Sequence, residues 1–124
     1  MEPHIQQALE TDRTIDITTI GRTSGEPRRI EIWYYHVGGK FYLSGIPGPR
    51  SWYANLLKNP EFTFHLKGST QADLPARAMP ILDEAPRREI IKGVLDLIAS
   101  DLTTDNADLD TWVQKSPLVE ITFL

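Results

Sequence analysis

The sequence predicts a mainly β domain of the α+β class, a small barrel of six or seven mostly antiparallel strands with two to four flanking helices. Three observations carry that expectation. Several short stretches alternate apolar and polar residues with the period of two that a half-buried strand requires. Turn residues join neighbouring stretches at close range, most clearly at Gly38-Gly39, as in hairpins. Only one long stripe runs at helical spacing, from Ile90 to Ile98. Antiparallel strands that must hide their edges tend to close on themselves, hence a barrel. With 124 residues there is room for one core, so a single domain is expected over 1–124.

In chain order, Pro3 to Glu10 carries Ile5, Ala8 and Leu9 at helical spacing, a short amphipathic helix at the mouth or flank of the sheet. Arg13 to Ile20 alternates around Ile15 and Ile17 as a strand, and Ser24-Gly25 turns the chain. Arg29 to His36 is the clearest strand. It puts Ile30, Ile32, Tyr34 and His36 on one face and Glu31, Trp33 and Tyr35 on the other. Lys40 to Ser44 pairs back after Gly38-Gly39. Ser51 is placed as the cap of a helix bearing Trp52 and Leu56, which ends at Asn59-Pro60.

Glu61 to Lys67 reads as a strand with Phe62, Phe64 and Leu66 on one face. Ser69 to Leu82 is extended, and its Pro75 and Pro80 assign it to an edge or to two broken strands. Asp83 stands as the cap of the longest helix, where Pro86 is tolerated in the first turn. Thr103 to Asp110 reads as polar loop, a short helix carries Leu109, Trp112 and Val113, and Pro117 to Leu124 forms the last strand.

Composition narrows the function. Net charge is −4, which argues against nucleic acid as the main partner while leaving a local basic site open. Without cysteine there is no disulfide, thiol nucleophile or thiolate metal centre. His4, His36 and His65 lack metal-ligand spacing, so no metal is expected. The N-terminal MEPHIQQALE lacks the basic and apolar runs of a signal peptide, and no apolar run reaches the roughly 18 residues needed to span a bilayer. A cytoplasmic protein without a membrane span is expected. There is no nucleophile elbow, P-loop or dinucleotide fingerprint.

Two stretches could bind a ligand. In Gly21-Arg22-Thr23-Ser24-Gly25-Glu26-Pro27-Arg28-Arg29, hydroxyls, turn amides and guanidinium forks suit phosphate or carboxylate oxygens. Strand parity directs Arg28 with Ile30 and Ile32 toward the interior or its mouth, and Arg29 outward with Glu31. The plain alternative is a solvated turn with surface arginines. In Ser44-Gly45-Ile46-Pro47-Gly48-Pro49-Arg50, leading into Ser51-Trp52, glycines admit a ligand to the backbone and prolines stiffen the loop. Helix amides at Ser51 to Tyr53 add donors, and Trp52 can flank a planar ring. The plain alternative is a connector with Trp52 in the core.

Gly21-Arg22-Thr23-Ser24-Gly25 with Arg28, followed by Trp52-Tyr53-Ala54-Asn55-Leu56 and Asn59-Pro60, resembles the deazaflavin-dependent nitroreductase family, split β-barrels that bind coenzyme F420. The resemblance implies that Arg22, Thr23, Ser24 and Arg28 hold the acidic tail and phosphate of the cofactor. It implies further that Ser44, Gly45 and the Trp52 helix start, with Asn55 in its motif, surround the deazaflavin ring. Arg50 stands in for a lysine that relatives carry in the loop, and Thr23 for one they carry in the turn. Tyrosines that relatives place near the C-terminus are replaced by Leu109 and Trp112. The implied activity is hydride transfer from reduced deazaflavin to a small quinone, nitroaromatic or activated enone, with FMN as the alternative cofactor. The second reading is a non-catalytic binding module for FMN, a tetrapyrrole or a lipid on the same barrel. A homodimer through the Trp33 and Tyr35 face is a further expectation, with coverage of that face by helices as its alternative.

Overall fold

Each strand finds two antiparallel neighbours, and the sheet closes. The computed structural model describes residues 1–99 and 108–124. Its strands are β1 (Thr14–Ile20), β2 (Pro27–Val37), β3 (Lys40–Ser44), β4 (Glu61–Lys67), β5 (Gln71–Pro80) and β6 (Leu118–Phe123). They form a closed barrel in the order β1-β2-β3-β6-β5-β4, with β4 returning to β1. The helices are α1 (Pro3–Thr11), α2 (Ser51–Lys58), α3 (Glu84–Ala99) and α4 (Leu109–Lys115).

Strand alternation makes two cores from one wall. Ile15, Ile17, Tyr34, Leu43, Phe64 and Ile121 fill the barrel. On the outside, Tyr35, Tyr42 and Leu118 meet Ile91, Val94 and Ile98 of α3 and Trp112 and Val113 of α4. Gly93 lets α3 approach β2 closely, for a Cβ there would lie 2.5 Å from Cγ1 of Val37. The other end of the wall is capped by α1. Its Ala8 and Leu9 are buried, and the Tyr34 hydroxyl donates to their carbonyls at 3.2 and 2.8 Å.

Several expectations are corrected. The Ser69 to Leu82 stretch is neither an edge nor broken, because β5 runs unbroken between β4 and β6. Its prolines are harmless for a geometric reason. The Pro75 carbonyl accepts from the Leu124 amide, so its nitrogen also faces the β6 side, beyond the last ladder pair at Ala76 and Phe123. Pro80 is the final residue of β5. Ser51 is the first helical residue of α2, and the cap position belongs to extended Arg50, without a side-chain cap bond. Tyr35 is buried by the outer helices and Trp33 is partly covered at the margin of the same cluster, the arrangement given as the alternative to a dimer face. Residues 103–107 of the expected polar loop lie outside the described residues. Among the described residues, no helix is long and apolar enough to cross a membrane.

Candidate functional site

The β1–β2 turn is built to hold its shape. Gly25 takes φ +69°, a conformation that glycine adopts without penalty. The Gly21 amide donates to the Glu26 carbonyl at 2.9 Å, and the Glu26 amide donates to the Ser24 hydroxyl at 3.2 Å. A Cβ at Gly21 would sit 2.4 Å from that same hydroxyl oxygen, so a side chain here would displace Ser24 from its bond to the Glu26 amide.

From the far side, α2 pins the turn. Oδ1 of Asn55 accepts from the Arg22 amide at 3.0 Å and from Arg22 Nη1 at 3.4 Å, and its Nδ2 donates to Thr19 Oγ1 at 3.2 Å. Lys58 Nζ donates to the Arg22 carbonyl at 2.8 Å, and Asn59 Nδ2 to the Ile20 carbonyl at 3.4 Å. The polar capacity of Asn55 is therefore turned to the protein. It positions Arg22.

Turn and helix enclose a cleft of about 390 Å³. Arg22, Thr23, Ser24 and Arg28 line it from the turn and β2, and Trp52 and Asn55 from α2. Six residues singled out in the sequence thus share one cavity. Thr19, Gly21, Ile30 and Ser51 complete the lining. Thr19 ends the inward row Ile15, Ile17, Thr19 of β1, and a hydroxyl closing an apolar row is the signal that could have found it.

The electrostatics of the cleft are one-sided. No acidic residue lines it. Arg28 is exposed and has no hydrogen-bond or ion-pair partner among the described residues. Its neighbour Arg29 instead bonds Asp16 at 3.0 Å on the outer face, where Lys67 joins Asp16 to Glu31. Lys67 first and Arg29 second hold the Asp16 carboxyl below its ordinary range. Ile30, 38% exposed, and the Trp52 edge supply an apolar wall beside the cations. Trp52 is itself mostly buried in the barrel core and meets Tyr53 edge to face, so it serves packing and cleft together.

Ser44, Gly45 and Arg50 do not line this cleft. The buried Ser44 hydroxyl donates to the Pro117 carbonyl at 2.8 Å. Gly45 has Pro117 Cγ and Arg50 Nε near its missing Cβ, at 3.7 and 3.8 Å. Arg50 folds back on its own loop, donating to the Pro49 and Ile46 carbonyls at 2.9 Å each. These bonds stiffen the loop that leads into α2.

One polar chain escaped notice in the sequence. His65 Nε2 lies 2.7 Å from Thr18 Oγ1, and its Nδ1 lies 2.7 Å from Asp73 Oδ1, tying β1, β4 and β5 on the outer face. The hydrogen bond from His65 keeps the Asp73 carboxyl below its ordinary range. Thr18 and His65 are 47 positions apart and carry no spacing signal, so only the fold reveals the pairing. Among the described residues, no cluster of histidine and acidic side chains could hold a metal ion.

Over residues 2–118 the chain matches the family model of the F420H(2)-dependent quinone reductases. No curated protein matches it. Among solved structures it is similar to a conserved hypothetical protein from Mycobacterium tuberculosis, at 21% identity and TM-score 0.75, covering 99% of this chain and 80% of that one. It is similar to an F420 reductase at 17% identity and TM-score 0.66, covering 100% and 95%. The heme storage protein HutZ from Vibrio cholerae shares the fold at 15% identity and TM-score 0.66, covering 99% and 89%.

Proposed function

Since the chain belongs to the F420H(2)-dependent quinone reductase family and is thereby an oxidoreductase with coenzyme F420 as cofactor, we propose that it reduces a small quinone, nitroaromatic or activated enone. The observation that carries the site assignment is the acid-free cleft holding Arg22 and the unpartnered Arg28 beside the exposed face of Ile30 and the Trp52 edge. A guanidinium without a counter-ion, two hydroxyls and turn amides suit an anionic tail. The adjoining apolar wall suits the start of a ring system. The donor set therefore fits the cofactor.

In this reading Arg28 and Arg22 take the phosphate and acidic tail, with Thr23 and Ser24 as hydroxyl partners. Asn55 and Lys58 act through the turn, fixing the Arg22 backbone so that its charge is presented without reorganisation. Ser44, Gly45 and Arg50 act at a distance, through the stiffened loop that leads into Ser51 and Trp52, with Ser44 and Arg50 bonded to carbonyls rather than aimed into the cleft. When bound, reduced F420 supplies the hydride, and the protein supplies orientation and exclusion of water. Binding by the heme storage protein HutZ on the same fold keeps a non-catalytic module as the second reading.

Titration of the purified protein with F420 and with FMN, followed by fluorescence, tests the cofactor. Tighter binding of F420 is expected. Equal or tighter binding of FMN would contradict the proposal and leave the barrel untouched.

A further inference from the structure

A second cavity, of about 490 Å³, opens where the Gly45 to Arg50 loop, the start of α3 and the end of α4 converge. It shares no lining residue with the arginine cleft. Arg87 lines it and is only 7% exposed. Its guanidinium donates to the carbonyls of Val113 at 2.6 Å, Ile81 at 2.7 Å and Ser116 at 2.7 Å. All three acceptors are neutral, and no carboxylate among the described residues pairs with it. Burial lowers its pKa, the direction expected of a desolvated cation lacking a counter-ion.

A guanidinium carries five hydrogens, so two remain after these bonds. Ser116 lines the same cavity, is 4% exposed, and its buried hydroxyl has no hydrogen-bond partner. Buried polar groups are normally satisfied, and a buried charge normally has a partner. The Ser116 hydroxyl departs from the first rule and Arg87, bonded to carbonyls but without a counter-ion, from the second, and both lie on one cavity wall. Lys115 at the rim adds a second cation without an ion pair among the described residues. Pro49, Tyr53, Leu82 and Pro117 give the wall an apolar and aromatic part, and Gly48 and Gln114 complete it.

We propose that this cavity binds a planar aromatic carboxylate, its oxyanion taken by Arg87 and the Ser116 hydroxyl and its ring by the Tyr53 and proline wall. The proposal does not rest on the cofactor reading, because neither its donors nor its walls belong to the arginine cleft. Arg87 also clamps α3 to the C-terminal end of α4 and to Ile81 just after β5, so its replacement would confound binding with folding. Ser116→Ala avoids this, since losing an unpartnered hydroxyl should leave the melting temperature unchanged or higher.

The test is an amide chemical-shift titration of the full chain, without cofactor, using 2-naphthoate and its neutral isostere 2-naphthamide. Naphthoate should shift the amides of Tyr53, Leu82 and Gln114, and should bind about tenfold more tightly than the amide, as loss of a charged hydrogen bond implies. Ser116→Ala should bind naphthoate several-fold more weakly at undiminished thermal stability, while Arg28→Ala should bind it as the unmodified protein does. Equal binding of the two probes, shifts centred on Arg22 to Ser24, no shift at all, or unchanged affinity in Ser116→Ala would each overturn the proposal.

Discussion

Two adjacent arginines of β2 meet opposite surroundings because successive strand side chains point to opposite faces. Arg29 is held by Asp16 on the outer face, whereas Arg28 stands in the cleft without a partner. Arg28→Ala should therefore weaken F420 binding by about 1.5–3 kcal/mol, the range for a hydrogen bond to a charged group. Arg29→Ala should change binding little, as an exposed ion pair contributes at most about 1 kcal/mol and lies on the wrong face. Fluorescence titration of both variants checks this, and equal losses would mean that the strand faces have been misassigned. This contrast was legible in the sequence from parity alone. The tie between Asn55 and Arg22 was not, since nothing in the sequence shows that two residues 33 positions apart meet.

At the scale of elements, the strand periods and turn residues located most of the barrel. Lys40 to Ser44 and Glu61 to Lys67 match their strands end for end. The prolines of β5 misled for an instructive reason. A proline forbids only a ladder bond that its own nitrogen would have made, and which side that nitrogen faces is a property of register rather than of sequence. Helix docking was also hidden. Gly93 sits in α3 where a solvent-facing glycine would gain up to about 1 kcal/mol on replacement by alanine. Here the added Cβ meets Val37 at 2.5 Å. Gly93→Ala should instead lower stability by about 1–3 kcal/mol, the usual cost of overpacking. Thermal melts check this, and Gly93→Ala combined with Val37→Ala should recover part of the loss. A rise in melting temperature for the single variant would show that α3 does not depend on the close approach.

Across the whole molecule, the charged outer network and the arginine cleft have different tasks. The outer network of Asp16, Arg29, Lys67 and Glu31 joins β1, β2 and β4, and the Asp16 carboxyl is held low chiefly by Lys67 and then by Arg29. A carboxyl whose pKa is lower in the folded state than in the unfolded chain stabilises the fold above the unfolded value, about 3.9. That contribution is lost as pH falls through the lower folded value. Asp16→Asn should accordingly melt below the unmodified protein at neutral pH, with the gap closing below about pH 4. A gap independent of pH would remove the carboxylate charge from the account. The sequence pointed to a closed sheet, which the chain has, and to the turn from Gly21 to Arg29 as a candidate anion site. It could not show that the Ser44 hydroxyl is turned to the Pro117 carbonyl, because that bond forms only once β6 lies beside β3, nor that Arg50 folds back on the Pro49 and Ile46 carbonyls.

The central claim is that the chain uses reduced F420 to reduce a small acceptor, and the most direct measurement of it is oxidation of F420H2 by the purified protein with menadione as a generic quinone. Turnover that saturates with both F420H2 and menadione, and that falls in Arg28→Ala at unchanged melting temperature, is the predicted result. Tight F420 binding with no turnover above the uncatalysed rate would contradict it, leaving a barrel that holds its ligand without transferring hydride.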